Sequence, residues 1–266
     1  MNEDLASRVA KLETQLHLAE RYSMQSFWQG LDVSYASTLA TREITCIVCD
    51  HKDKRSGYKI HTDTCMFGGG KLERYECPDC GCIFGPMKYL DLSEEFVGLD
   101  YELLYSRYSE SNSTPREIRT FHSLTPKQED LFLDWGCGGI WSETITQLRA
   151  SGWNVWGYEP SAAEPSEYVV NHRGSISAKF SGIFSNNVVE HFRNPVAQFK
   201  DFHTILAKGG SMAHTSPCYD YCYAFTRFHS LFLLGNSAEI LAEKTGFKLS
   251  ARIRDGESTI VVFEKI

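Results

Sequence analysis

The chain contains no apolar run approaching the roughly 18–20 residues that a membrane-spanning helix needs. It also lacks an excess of base. Its 27 Lys and Arg stand against 34 Asp and Glu, a net charge of −7, and no stripe of basic residues marks a nucleic-acid footprint. The first residues, Met1-Asn2-Glu3-Asp4, carry acid where an export signal carries base, and no apolar segment follows them. Internal repeats and low-complexity tracts are missing as well. These absences argue against a helical membrane protein, a secreted protein and a general duplex binder, and leave a cytoplasmic globular protein as the expectation. With 266 residues the chain can bury one full core and carry a small accessory module.

Cysteine is not scarce, but its nine copies are odd in number and unevenly placed, which disfavours a disulfide framework. Six fall between residues 46 and 82, and four of those form two C-x-x-C knuckles, Cys46/Cys49 and Cys77/Cys80. Two intervening residues let a tight turn aim both thiolates at one tetrahedral metal, and two such knuckles complete a four-cysteine zinc site. The 27-residue gap between them suits a β-hairpin turning at Gly68-Gly69-Gly70. A redox C-x-x-C would need a thioredoxin-like βαβ setting, which this segment does not have. With four protein ligands the metal has no open position, so it would fold the module rather than catalyse. Cys65, His51, His61 and Cys82 read as bystanders.

Residues 1–40 form an N-terminal segment in which 1–30 reads as helix. Leu5, Val9, Leu12 and Leu16 alternate steps of four and three, the seam pattern of a short coiled coil that can pair with a second copy or a partner enzyme. Residues 41–90 are the expected zinc-binding module. From 91 the chain is helical until Ser111-Asn112-Ser113-Thr114-Pro115. Beyond residue 130, strands and helices alternate as in an α/β sheet. Strands are expected at 131–133, 153–158, 182–185 and 211–215, helices at 141–150, 161–171, 195–207 and 237–245, and a closing strand pair at 247–254 and 258–264.

The segment with most chemical content is Leu133-Asp134-Trp135-Gly136-Cys137-Gly138-Gly139, a strand ending in acid followed by a glycine turn into a helix. Such a turn lets a ligand approach the backbone closely. The next strand ends Gly157-Tyr158-Glu159-Pro160, and Glu159 stands where a carboxylate can accept both ribose hydroxyls of an adenosine cofactor.

With these residues the sequence resembles the class I S-adenosylmethionine (SAM)-dependent methyltransferases, from about residue 100 to residue 266. Asn186-Asn187-Val188-Val189-Glu190-His191 is similar to that family's segment after strand 4, and Leu206-Ala207-Lys208-Gly209-Gly210 to its later motif. The resemblance implies a Rossmann-like doubly wound α/β sheet over 91–266 and SAM as cofactor. It implies that Asp134, Gly136, Cys137 and Gly138 hold the methionine end, that Glu159 and Pro160 hold the ribose, and that Asn186 and Asn187 add contacts. C-x-x-C pairs ahead of such a domain resemble the zinc-binding domain of sugar C-methyltransferases and of surface-glycan methyltransferases. A nucleotide-sugar or glycan acceptor is therefore the expectation, with His191, Glu190 and His229 as candidate catalytic residues. In ubiquinone-type O-methyltransferases a similar Glu-x-x-Glu-His segment holds a divalent metal; here Asn187 replaces the first Glu. The segments 215–221 and Arg227-Phe228-His229 are expected on the acceptor side, where Tyr219, Tyr221, Tyr223 and His229 either contact an acceptor ring or pack as an aromatic lid.

Three positions depart from the family pattern. Ile140 stands for a third glycine, Ser181 for an acid, and only 22 residues separate Glu159 from Gly182, too few for a helix, an edge strand and a second crossover. The edge strand is thus expected to be shortened, with no counterpart of the acid that contacts adenine. Two other readings remain: an RNA methyltransferase gripping its substrate through the zinc knuckles, and a SAM-fold scaffold without activity.

Overall fold

The computed structural model describes residues 2–109, 111–220 and 225–266. The chain opens with one long helix, α1 (Asn2–Thr38), which runs past the expected end at residue 30. A short hairpin, β1 (Glu43–Thr45) and β2 (Lys52–Lys54), carries the first cysteine knuckle at its turn. A second hairpin, β3 (Lys59–Thr64) and β4 (Lys71–Glu76), fills the interval between the knuckles, and its turn holds Gly68 and Gly70 at φ +75° and +69°. The second knuckle then leads from β4 into β5 (Ile83–Phe84). Short α2 (Met87–Leu90), α3 (Glu94–Tyr105) and α4 (Thr114–His122) precede the main sheet.

That sheet contains β6 (Leu131–Trp135), β7 (Asn154–Tyr158) after α5 (Glu143–Ala150), β8 (Val169–Val170) and β9 (Phe180–Asn186). Then come α6 (Pro195–Ile205), β10 (Leu206–Pro217), β11 (Leu231–Phe232), α7 (Ser237–Thr245), β12 (Phe247–Asp255) and β13 (Ser258–Lys265). The seven-stranded order is β12-β13-β10-β9-β6-β7-β8. Pairing is parallel except at β13, which runs antiparallel to both neighbours. Phe121 of α4 and Ile145 and Leu148 of α5 pack on one face of the sheet. Phe199 and Phe202 of α6 and Leu241 of α7 pack on the other. This is the doubly wound α/β sheet expected from the sequence.

One expected element is missing. Residues 161–171 form no helix; the chain runs irregularly to β8, whose two residues pair with the end of β7. Gly157 N–H donates to Tyr168 O at 2.8 Å and Glu159 N–H to Val170 O at 3.0 Å. Pro165 supplies no N–H and bars the residue before it from helix. The edge strand survives in shortened form because the chain spends its few residues on reaching the sheet.

The cysteine module is not a pendant. β11, far along the chain, pairs with β5 and makes the ribbon a four-stranded sheet, β11-β5-β4-β3. Both knuckles rest on α7: Lys244 Nζ donates to Val48 O at 2.8 Å, and Asn236 N–H to Cys80 O at 3.1 Å. Among the described residues no helix is long and apolar enough to cross a membrane.

Candidate active site

Strand order reverses between β9 and β7 on either side of β6, and ligands of such sheets bind in the crevice at the strand carboxyl ends there. A cleft of about 1690 Å³ opens at that place. It exceeds the roughly 300–1,000 Å³ of a single small-ligand pocket, so it holds room for two reactants.

The glycine turn forms the cleft's floor. Gly136 and Gly138 sit at φ +77° and +76°, and Gly139 at +151°. A Cβ on Gly136 would lie 2.7 Å from Val188, whereas Gly138 and Gly139 face open space. Ile140 is not in the left-handed region, so the turn does not require a glycine there. The turn is fastened to β7: Gly136 N–H donates to Tyr158 O at 2.8 Å, and Gly138 N–H to Glu159 Oε2 at 2.9 Å. The other Glu159 oxygen accepts from the Ser161 N–H and hydroxyl at 3.0 and 2.6 Å. Ser142 caps α5 by accepting from Ile145 N–H, which closes the strand–turn–helix unit.

Cys137, Glu159, Pro160, Asn186 and Asn187 line the cleft with Gly136 and Gly138. Asp134 lies beneath, 1% exposed, and burial drives its carboxyl well above the usual range, aided by the charges of Glu117 and Glu159. Asp134 Oδ2, Asn186 Oδ1 and Asn187 Oδ1 are buried oxygens without a hydrogen-bond partner among the described residues. Asn187 holds φ +54° just after β9. The two amide oxygens of Asn186 and Asn187, beside a glycine cradle with open space above it, fit a ligand that brings an ammonium group. The residues present therefore suit the amino-acid end of SAM.

His191 stands opposite, in a short turn after β9, and lines the cleft. Its Nδ1 lies 3.0 Å from Phe228 O and 2.7 Å from Tyr101 Oη. Phe228 O only accepts, whereas the Tyr101 hydroxyl can donate or accept; the tautomer that donates from Nδ1 to Phe228 O is the one that puts the lone pair of neutral His191 on Nε2. Burial lowers its pKa to about 4. Glu190 is fully buried behind it, and the His229 ring lies 4.9 Å from that of His191. Ligand atoms of Glu190, His191 and His229 lie within 4.8 Å of one another.

Tyr101 is the contact that sequence reasoning assigned only to a helix. Its spacing with Tyr105 and Tyr108 carried the signal, since steps of four and three share one helical face. All three line the cleft, with Trp141, 85% exposed, at its rim. The expected acceptor side is corrected in part. Arg227 is 1% exposed and pairs with Asp100, both N–O distances being 2.6 Å. Tyr219 packs on Phe232 and His61 and does not line the cleft. Tyr221 and Tyr223 lie outside the described residues.

The four knuckle cysteines converge as expected. Cys46 and Cys80 Sγ are 3.7 Å apart, Cys49 and Cys77 Sγ 3.5 Å, and all four lie within 4.8 Å of one another. Zn–S bonds of about 2.3 Å in a tetrahedron give sulfur–sulfur edges of about 3.8 Å. The knuckles repeat one geometry: Asp50 and Gly81, both at positive φ, donate to Cys46 O and Cys77 O, which closes each turn.

The family model of a methyltransferase domain matches residues 108–249, more than half of the chain. The chain belongs to that family, and it is a SAM-dependent methyltransferase of the class I fold. No curated protein matches the sequence. Among solved structures, it is similar to the 1,6-didemethyltoxoflavin N1-methyltransferase of Burkholderia thailandensis. Identity is 14% and the TM-score 0.51, over 78% of this chain and 99% of that one. A TehB-like SAM-dependent methyltransferase of Corynebacterium glutamicum gives 17% identity and a TM-score of 0.41, over 65% of this chain and 97% of that one. At such identities the likeness concerns the fold.

Proposed function

We propose that the enzyme methylates a sugar, either a nucleotide-sugar or the end of a surface glycan, with His191 as general base. The observation that carries this reading is the place of His191 in the cleft wall with its Nδ1 3.0 Å from Phe228 O: in the tautomer that donates there, the Nε2 lone pair is left to take a proton from an acceptor hydroxyl. A cleft larger than one ligand leaves room for the acceptor beside the cofactor. The tyrosines of α3 and Trp141 suit the apolar face of a sugar ring. The net charge of −7 counts against RNA.

In this reading SAM supplies an electrophilic methyl group. Asp134, Gly136, Cys137 and Gly138 hold its amino-acid end, Glu159 and Pro160 the ribose, and Asn186 and Asn187 the turn between cofactor and acceptor. Glu159 would exchange the Gly138 N–H or the Ser161 hydroxyl for ribose hydroxyls. The module over 41–90 binds one structural zinc through Cys46, Cys49, Cys77 and Cys80, ahead of the methyltransferase domain over 91–266.

The test is methyl transfer from labelled SAM to a panel of nucleotide-sugars, with His191→Gln and Glu159→Ala alongside. His191→Gln is expected to lower kcat about 10²–10⁴-fold while leaving SAM affinity within a few-fold. Glu159→Ala should lose SAM binding in calorimetry. Full activity in His191→Gln would refute the base, and transfer to RNA but to no sugar would refute the substrate class. The cluster of Glu190, His191 and His229 favours a second reading, in which a divalent cation activates the acceptor. Loss of turnover on chelation, restored by Mg²⁺ but not by Zn²⁺, would select it.

A further inference from the structure

Helix α1 spans 37 residues, about 55 Å, yet only its second half is built into the body. Trp28 is 1% exposed among Tyr89, Val97 and Phe228, with Met24 and Leu31 packed beside it. Asp32 pairs with Lys88, and Tyr35 donates to Asp91. By contrast, every residue from 4 to 19 is exposed. An isolated helix of this length is marginal in water, and an uncovered row of large apolar side chains is unfavourable.

The exposed row is regular. Leu5, Val9, Leu12 and Leu16 are 63%, 45%, 63% and 62% exposed. The same alternation of steps continues without a break through Ala19, Ser23, Ser26, Gly30 and Val33, all of them exposed. Large apolar residues thus occupy the free half of the seam, and small ones most of the half beside the body. Gly30 is unexplained within the chain: a Cβ there would meet nothing within 4 Å, although a mid-helix glycine costs about 1 kcal/mol. Close approach of a second helix accounts for it.

Two further features choose the occupant. The residues that seat α1 on the body, Met24, Trp28, Leu31 and Tyr35, centre about 100° round the helix from the leucine row at 100° per residue. Two copies joined along the row would therefore carry their bodies on outer flanks, out of each other's way. The charges flanking the row are complementary in one orientation. Arg8 precedes the seam residue Val9, Glu13 follows the next one, Leu12, and in a parallel in-register pair each Arg8 faces the other copy's Glu13. Antiparallel pairing sets Arg8 against Gln15 or itself and brings no opposite charges together. One seam position holds Val9 and Leu16 and the other Leu5 and Leu12; β-branched Val9 against leucine at the other position follows the two-strand pattern.

We infer that the enzyme is a homodimer joined by a parallel, in-register coiled coil of its N-terminal helices, seamed from Leu5 to Val33. The pairing leaves each active-site cleft on its own body.

The test uses the full chain in sedimentation equilibrium. Wild type should sediment as a dimer, and Leu12→Glu with Leu16→Glu as a monomer that still binds SAM and keeps its Tm within a few degrees, because both positions are exposed. Arg8→Glu should weaken association about tenfold, and Arg8→Glu with Glu13→Arg should restore it. Val9→Cys should form an intermolecular disulfide in mild oxidant, since only the parallel register sets Val9 against itself. A monomeric wild type would overturn the inference, as would a dimer indifferent to Leu12→Glu with Leu16→Glu. A dimer in which Val9→Cys does not cross-link would overturn the orientation. Binding of a different protein to the row in place of a second copy would overturn the choice of occupant.

Discussion

At the scale of single residues, the fold holds groups in states that water would not favour. Two histidines are the clearest. His191, beside the cleft, is lowered to about 4 by burial, and His214, with its Nδ1 2.8 Å from the Ser185 hydroxyl, is lowered to about 3 by the same cause. Both lie below the ordinary value near 6.5, so the folded chain refuses protons that the unfolded chain accepts. Stability contributed by these groups is full above about pH 6.5 and falls as pH drops toward 4 and 3. Urea unfolding at pH 7.5, 6.0 and 5.0 should show that decline, and His214→Gln should make it shallower. A pH-independent midpoint over this range would contradict the burial argument. For His191 as base, kcat is expected to keep its value below pH 6.5 and to lose it only near pH 4–5. An acid limb at 6.5 would mean that the imidazole is solvated during turnover.

At the scale of elements, the cleft wall opposite the glycine turn is α3, tied down by a surface pair, Glu94 with Arg193, and by a buried one, Asp100 with Arg227. Arg227 and Asp100 are both buried and joined by two hydrogen bonds, while Arg227 Nη1 also donates to Phe67 O at 2.9 Å. Breaking such a pair strands a charge in the interior. Asp100→Ala is expected to cost about 3–5 kcal/mol in chemical denaturation, and Asp100→Ala with Arg227→Met to recover most of it. Equal losses in both variants would show that α3 is held by packing alone. None of this was legible in the sequence, where Arg227 stood in a row of polar and aromatic residues and read as lining the acceptor side. The strand–turn–helix units were legible, because Asp134-Trp135-Gly136 and Glu159-Pro160 combine apolar strands with turn chemistry that needs no partner to be recognised. The ribbon hairpin was legible from the spacing of its cysteines and glycines. The stretch 161–171 was misread as helix because Ala162, Ala163 and Glu164 favour one locally. There, pairing of β8 with β7 outweighed local propensity. The seating of β11 on β5 rests on residues nearly 150 positions apart and has no local signature.

At the scale of the whole molecule, that long-range pairing joins the cysteine module to the segment that carries His229. Arg74 of β4, 1% exposed, donates to Thr226 O and His229 O across the join, and Ser230 N–H donates to Glu190 O at 2.7 Å. A continuous path therefore runs from the knuckles through β4, β5 and β11 to the two histidines. The glycine turn is reached by a different path, through β6 and β7, and shares none of these bonds. A zinc bound by the four thiolates would contribute folding free energy to the ribbon, and its removal should act along the first path only. Treatment with a strong chelator is expected to release one zinc per chain and to lower Tm markedly. Methyl transfer should fall by an order of magnitude or more, while SAM affinity changes by no more than a few-fold in calorimetry at 10 °C. Cys49→Ser should reproduce that split. Equal loss of SAM binding and transfer would mean that the metal supports the whole sheet rather than the segment that carries His229. Unchanged transfer would separate the ribbon from catalysis altogether, leaving Arg74 and β11 as bonds that stabilise the fold without setting the position of His191 and His229.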